Sequence, residues 1–549
     1  MNRLKHLPAW LISGVLYGLA WPNFAFETGW LAWFALVPVL LRLRSVQTFG
    51  EHVRVTLPLF VVIPPLVCWW LSYVSIWAVL TVILTQSLFL WIPLALHFPF
   101  QQRFGWRKAL WLLPLSWTVW EWAWLAIGDI NLAVGNPLYT QARLLVLNQF
   151  VDLTGQWGVL AWLIGMNVLL ARIVDRNPDV SQRLLIRRVA LGAGAWLAVP
   201  VVYSALVAWQ PSLVIDKHPS TVRVGLVQTN EDPYAPLKPV HYQQKVQRLL
   251  RLGTRVVEQQ PDLVVAPEGA FPLPLLRDSV LFAGMRQYVA YYNVPFATGL
   301  VTPVDSNHYY NEAFVFTPEL SRVYTPLHLT PTDLKVYRKQ KSLVFGERLP
   351  TLLQWASPWL WRGKSSIQLG DTPFVFQFHD RKQNTRRVAM AICWEQLYPS
   401  TIAGLVRAGT DSDQSVSSRS GLSEFLIFMM NDGWFYDSPG PRMLLAFTQL
   451  RAIENRRSIA RCSNQGYSGY VDPFGRVVSV MPRQQEATGT VTLQTNTKLT
   501  LFTKYPNWFP LACGLALFLF LLLAGKRNPT DAVQGQPSRK RSETTIPSN

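Results

Sequence analysis

With 549 residues the chain is too long for one ordinary domain of about 150 residues. Half of those residues are hydrophobic, 15% are charged and 24 are Trp, which sets an ordinary soluble protein aside in favour of a membrane one. The formal net charge of +19 would suit a nucleic-acid binder, but most Lys and Arg outside the long soluble region fall between apolar runs, so the excess reads as a topology signal.

Those runs cover residues 8–22, 29–41, 57–74, 76–98, 109–127, 157–174, 189–208 and 507–525. Each is about the length of a bilayer crossing, with the first two short. Pro64-Pro65 is expected to kink the third. No small-residue cleavage site followed by a polar segment succeeds residues 8–22, so they read as a retained span rather than a signal peptide. Cations fill alternate loops: Arg3 and Lys5, then Arg42, Arg44 and Arg54, then Arg103, Arg107 and Lys108, then Arg172 to Arg188, and finally Lys526 onward. Among the short loops between them, Arg143 is the exception. By the positive-inside rule, eight spans with this alternation put both termini in the cytoplasm and residues 209–506 on the other side.

Within 209–506 the pattern changes. Residues 222–228 alternate as a strand. Residues 241–259 have helical spacing of Val246, Leu249, Leu250, Val256 and Val257. Strands are expected at 262–266, 295–300, 312–317, 374–379, 387–393 and 424–430, and helices at 277–292, 399–408 and 441–455. Residues 458–462, 469–472 and 476–480 are expected to close a sheet. The rough alternation argues for a layered α/β domain. Residues 410–421 read as a Ser- and Asp-rich loop and residues 527–549 as a disordered cytoplasmic tail.

Four cysteines serve the whole chain. Cys68 and Cys513 lie in apolar runs and read as inert. Cys393 ends a short apolar strand, Arg387 to Ile392, with Glu395 two residues later. From this motif alone a pocket nucleophile and a buried core cysteine are both open. Cys393 and Cys462 leave room for one disulfide. A thiol left free on the outer side would need a reason, and catalysis is one. No Gly-rich phosphate loop is present, and the eight His are scattered without ligand spacing, so no cofactor or metal is expected.

Pro267-Glu268, Tyr337-Arg338-Lys339 with Phe345-Gly346-Glu347, and Cys393-Trp394-Glu395 follow one another in the order Glu, Lys, Cys. Asn431-Asp432-Gly433-Trp434-Phe435 and Ser463-Asn464-Gln465-Gly466 lie beyond them. Together these motifs resemble the nitrilase, or carbon–nitrogen hydrolase, superfamily. With the flanking spans they resemble the apolipoprotein N-acyltransferase family. The resemblance implies a polytopic α-helical membrane domain plus an α/β nitrilase-like αββα sandwich. The implied parts are a seven-span region (1–208), an extracytoplasmic catalytic region (219–500) and a final span (507–525). It implies a catalytic triad of Glu268, Lys339 and Cys393, supported by Glu347, Trp394 and Glu395. Departures from the family pattern stand at Gly269, Thr229, Trp394 and Lys341 to Val344.

The residue types suit acyl transfer. A thiol attacks as thiolate and needs a base. A carboxylate such as Glu268 serves only if desolvation raises its pKa, for which Phe271, Pro272 and Leu273 are available. Lys339 would hold an oxyanion together with the Trp394 backbone N–H. By charge alone it reads as a solvated cation in the run Lys335 to Lys341. Its family spacing, eight residues before Glu347, reverses that reading. Glu347 and Glu395 would orient Lys339, or simply form structural salt bridges.

The implied reaction passes a fatty acyl chain from a phospholipid, through a Cys393 thioester, to the α-amine of a lipidated N-terminal cysteine on an apolipoprotein. Its implied location is the bacterial inner membrane. Residues 349–361, with Trp355, Trp359 and Trp361, read as a loop dipping into the bilayer or as a packed core segment. Residues 271–276 and 434–436 are expected to widen the same apolar mouth. A diverged acyltransferase or amidase with another acceptor, and an inactive membrane scaffold, are the alternative readings.

Overall fold

The computed structural model describes residues 8–23, 26–127, 129, 134–175, 181–235, 239–271, 279–319, 336–361, 365–409 and 421–525. The expected 410–421 loop up to residue 420, the 272–276 part of the mouth and the 527–549 tail lie outside them.

The N-terminal part is helical. Its main elements are α1 (Ala9–Leu19), α2 (Val37–Leu43), α3 (Phe49–Cys68), α4 (Ile76–Phe104), α5 (Leu113–Ala126), α6 (Gln156–Val174) and α7 (Gln182–Trp209). Thr48 and Glu51 close a capping box at the start of α3. Pro58, Pro64 and Pro65 lie inside that helix, which gives way to a 3₁₀ turn at Trp69–Tyr73. Segments Phe49–Tyr73, Val79–Phe104, Gln156–Val174 and Gln182–Trp209 are long and apolar enough to cross a membrane. Ala9–Leu19, Gly29–Leu43 and Trp508–Leu523 are shorter apolar helices. Much of their apolar surface faces outward, as at Trp77, Leu84, Val199 and Leu523.

The helix ends sort into two sets. Arg44 and Arg107 both pair with Asp175, at 2.5 and 3.2 Å, which gathers the ends of α2, α4 and α6 on one side. The 69–75 connection and the 149–156 segment meet the α/β region instead. Trp70 packs edge-on against Phe435 at 4.8 Å, and Arg456 pairs with Asp152 at 2.7 Å.

That α/β region has two sheets. In the first, β1 (Thr221–Gln228), β2 (Leu263–Val265) and β3 (Phe296–Pro303) run parallel. β4 (His308–Phe316) returns antiparallel, flanked by β5 (Tyr337–Arg338) and β6 (Ser366–Gln368). The second comprises β7 (Val375–His379), β8 (Thr385–Ile392), β9 (Phe425–Met430), β10 (Ile459–Ser463), β11 (Gly469–Val471) and β12 (Val477–Val480), in the order β12-β11-β10-β9-β8-β7. Helices α8 (Pro239–Val257) and α9 (Ser279–Tyr292) pack Leu249, Leu252, Met285 and Val289 against Phe296 and Phe316 of the first sheet. Helices α10 (Pro399–Arg407) and α11 (Gly440–Asn455) back the second. The two sheets face each other across Cys462, giving the αββα layering that the resemblance implied.

The three segments from 458 to 480 close a sheet as expected, forming the β10-β11-β12 side of the second one. The first sheet is completed by β13 (Ala487–Gln494), paired antiparallel with β1 over eight residues. Only Val491 and Leu493 of this strand face the core, a two-residue alternation too short to mark it in sequence. The chain then enters α12 (Trp508–Gly525). One continuous buried core joins α1–α6 to both sheets.

Candidate active site

β2, β8 and β9 point their C-terminal ends to one edge, and the candidate residues leave those ends. Glu268 follows β2 in a turn pressed onto β3. Ala266 N donates to Ala297 O at 2.8 Å and Phe271 N to Gly299 O at 3.3 Å. Gly299 has to be Gly: a Cβ there would lie 2.6 Å from Gly269 N, 2.7 Å from Pro267 O and 2.8 Å from Glu268 Cα. Cys393 directly follows β8 and starts a 3₁₀ turn, Cys393–Leu397, with φ at +51°. For a residue with a Cβ this conformation costs about 1–2 kcal/mol, which the paired strands on either side hold in place.

Lys339 lies just after β5, fixed by its N–H on Asn311 O and by Gly370 N on its carbonyl, both at 2.9 Å. Its side chain is 1% exposed. Nζ donates to Glu268 Oε1 at 3.1 Å and to Glu347 Oε1 at 2.6 Å. Glu347 Oε2 accepts from Leu343 N at 2.7 Å, which orients that carboxylate. Glu268 is buried. Its Oε1 also accepts from Asn311 Nδ2 at 2.8 Å, while Oε2 has no hydrogen-bond partner among the described residues.

The charges of this group act on one another. Burial raises the Glu268 pKa, and Lys339 only partly offsets it. Burial would lower the Lys339 pKa, but Glu268 and Glu347 together hold it well above its ordinary value. Burial lifts the Cys393 thiol well above its ordinary range; Glu268 adds to this and Lys339 opposes it. Burial and the Glu268 charge thus disfavour a resting thiolate at Cys393, while the Lys339 charge favours one.

Glu395 behaves differently from the expectation that it orients Lys339. Its Oε1 accepts from Tyr337 Oη and Gln340 N, and its Oε2 from Ile392 N, each at 2.6 Å. It joins the lysine strand to the cysteine strand through the backbone, and burial pushes its pKa up to about 7. Trp394 is fully buried. Cys393 and Cys462 are both free thiols. Cys462 donates to Val227 O and Val265 O at 3.3 Å between the sheets. Asn311 escaped sequence reading. It lies in β4, which begins at His308, four residues before the expected strand. A buried Asn in an apolar strand was the available signal.

The surroundings of the site are apolar and exposed. Leu352, Trp355 and Trp359 of the 349–361 segment are 72%, 72% and 74% exposed, so most of that segment is not core, although Leu349, Ala356 and Trp361 are buried. Tyr436 stacks on Tyr234 at 5.2 Å and meets Tyr73 edge-on at 5.1 Å. Phe435 between them is buried. Among the described residues, no three His, Cys, Asp or Glu side chains gather as a metal site.

Comparisons with known proteins cover nearly the whole chain. The family profile for Carbon-nitrogen hydrolase matches residues 223–499, and that for the Apolipoprotein N-acyltransferase N-terminal domain matches residues 13–169. The chain is 32% identical to the apolipoprotein N-acyltransferase of Chlorobaculum tepidum, over 96% of this chain and 98% of that one. It is 25% identical to apolipoprotein N-acyltransferase 2 of Treponema denticola, over 94% and 97% of the two chains.

Proposed function

Because the chain belongs to the apolipoprotein N-acyltransferase family, we propose that it moves a fatty acyl chain from a phospholipid to the α-amine of the lipidated N-terminal cysteine of an apolipoprotein, through a thioester on Cys393. The observation that carries this reading is the Lys339 side chain shared between two carboxylates, with Glu268 Oε2 buried and without a partner among the described residues. That oxygen is available to take a proton.

In the first half-reaction the Cys393 proton passes to Glu268 as sulfur attacks the ester carbonyl. The raised Cys393 pKa favours proton loss during attack over a preformed thiolate. Lys339 and the Trp394 backbone N–H stabilise the tetrahedral oxyanion. Collapse breaks the ester C–O bond, and Glu268 returns its proton to the departing lysophospholipid alkoxide. In the second half-reaction the acceptor amine attacks the thioester. Glu268 takes the amine proton, the C–S bond breaks, and that proton restores the Cys393 thiol. Glu347 holds Lys339 in place, and Glu395 holds the two strands.

Residues 1–208 and 507–525 form the membrane part and residues 219–500 the catalytic part, on the outer face of the bacterial inner membrane with both termini inside. Support comes from the outward apolar surface of the long helices and from Arg44, Arg107 and Asp175 meeting at the end remote from the sheets. The exposed Trp355 and Trp359 suit the headgroup zone beside the site. The test supplies purified protein in phospholipid nanodiscs with a diacylglyceryl-cysteine peptide and weighs the peptide. A gain of one acyl group on the N-terminal amine is expected. A lysophospholipid product with unmodified peptide would point to another acceptor, and neither product would remove the reading.

A further inference from the structure

A cavity lies away from the candidate triad. It occupies about 480 Å³ between the end of α7, the 149–156 segment and the linker that follows β13, within the size range of small-molecule sites. We propose that it binds one anionic phospholipid of the outer leaflet that is not the acyl donor. The inference rests on the membrane placement of α7 and α12 given above.

The cavity has an apolar side and a cationic rim. Leu153, Leu206, Val207 and Leu499 line the first; Lys498 and Lys504 line the second. Neither lysine pairs with a carboxylate among the described residues. Lys498 Nζ donates to the backbone oxygen of Ser212 at 2.5 Å, and Lys504 is exposed. Asp152 is the one carboxylate in the described wall, and it is already satisfied. Its Oδ2 takes two bonds from Arg456, at 2.7 and 2.9 Å, and its Oδ1 accepts from Tyr203 Oη at 2.8 Å. The cavity therefore presents two lysines that form no ion pair among the described residues, above apolar walls; the nearby Asp216 carboxylate is taken up by Thr497 N and Oγ1. An anionic headgroup on acyl chains complements both features.

The level within the bilayer agrees. Trp209 is 81% exposed at the end of α7 and Tyr505 is 62% exposed just before α12. Trp508 Nε1 donates to Leu153 O in the cavity wall at 2.7 Å. Aromatic residues ring the headgroup zone in this way. The lipid here is too far from the thiol to be the donor. Leu422, in the wall, precedes β9, and the other end of β9 pairs Met429 with Ile392 beside Cys393. Six residues of strand span roughly 20 Å. A lipid held here would instead bind α7 to the linker entering α12.

Native mass spectrometry of the full-length protein tests this, with phosphatidylglycerol, phosphatidylcholine and glycerol 3-phosphate titrated separately. The wild type is expected to retain one phosphatidylglycerol more than phosphatidylcholine. K498Q/K504Q should lose that preference, weakening apparent affinity by roughly tenfold for each lysine, while acylation of Cys393 continues. Leu206→Trp, which fills the apolar side, should lose the same lipid with both lysines intact. Equal retention of the two lipids by wild type, or a preference surviving in the double variant, would overturn the inference. Competition by glycerol 3-phosphate at equal strength would overturn it too, by making the site one for free phosphate. Loss of Cys393 acylation in the wild type would instead strike at the proposed function, so the two failures are distinct.

Discussion

Gly299→Ala alters the geometry of the candidate base without touching any reacting group. The added Cβ would sit 2.6 to 2.8 Å from three backbone atoms of the Pro267–Gly269 turn, where ordinary contact begins at 3.4 Å. Backbone on both sides cannot rotate away, so the turn must retreat by roughly 0.6–0.8 Å, at about 1–3 kcal/mol of stability. Glu268 moves with it, away from Lys339 and Asn311. A displacement of that order can slow a positioned reaction by about 10²-fold. Gly404→Ala is the matched control: it lies in α10 with nothing within 4 Å of its Cβ, and should leave the rate unchanged or gain up to ~1 kcal/mol of stability. Single-turnover labelling of Cys393 from fluorescent phospholipid gives the rate, and thermal unfolding checks that both variants fold. A folded Gly299→Ala protein labelling within threefold of wild type would refute the reasoning that Glu268 acts from this position.

Glu347→Gln leaves Lys339 to Glu268 alone, which both frees the ammonium and lowers the basicity of Glu268; the single-turnover rate should fall by about 10²–10³-fold. Glu395 carries a pH signature. Because burial raises its folded pKa from the ordinary 4.5 to about 7, its stabilising contribution is complete below pH 4.5 and is lost as pH rises through 7. Wild type should therefore lose up to ~3 kcal/mol between pH 4.5 and 8 that Glu395→Gln does not lose, as denaturant unfolding of both proteins at each pH would reveal. Trp355→Glu with Trp359→Glu should leave folding within ~0.5 kcal/mol, since both side chains are more than 70% exposed. The double variant should slow acylation from vesicle phospholipid while sparing a short-chain soluble donor.

The helices and the parallel strands were legible because their side chains carry the fold. Val222 to Gln228 and Phe425 to Met430 are buried on nearly every position, and apolar runs declare that in sequence. Ala487 to Gln494 is a strand through its ladder with β1, and nothing in Ala-Thr-Gly-Thr announces the partner. The same divide runs through the site. Cys393 and Glu268 stood out as polar residues after apolar strands, whereas Lys339 was legible only through its family spacing to Glu347. The role of Gly299 in admitting the Glu268 turn, and the hold of Asn311 on the same carboxylate, depend on the register of β3 against β4. Glu395 was legible as a carboxylate two residues after the thiol, but its partners are Tyr337, Gln340 and Ile392, which only the packing of the two sheets brings within reach.

The proposed thioester on Cys393, formed with Glu268 and Lys339, is most directly tested by intact-protein and peptide mass spectrometry after incubation with phospholipid and no acceptor. One fatty acyl group should appear on the Cys393 peptide, be released by neutral hydroxylamine, and be missing from Cys393→Ala, Glu268→Gln and Lys339→Met. Acyl adducts absent from wild type, carried by another residue, or formed equally well by folded Glu268→Gln and Lys339→Met proteins would contradict it.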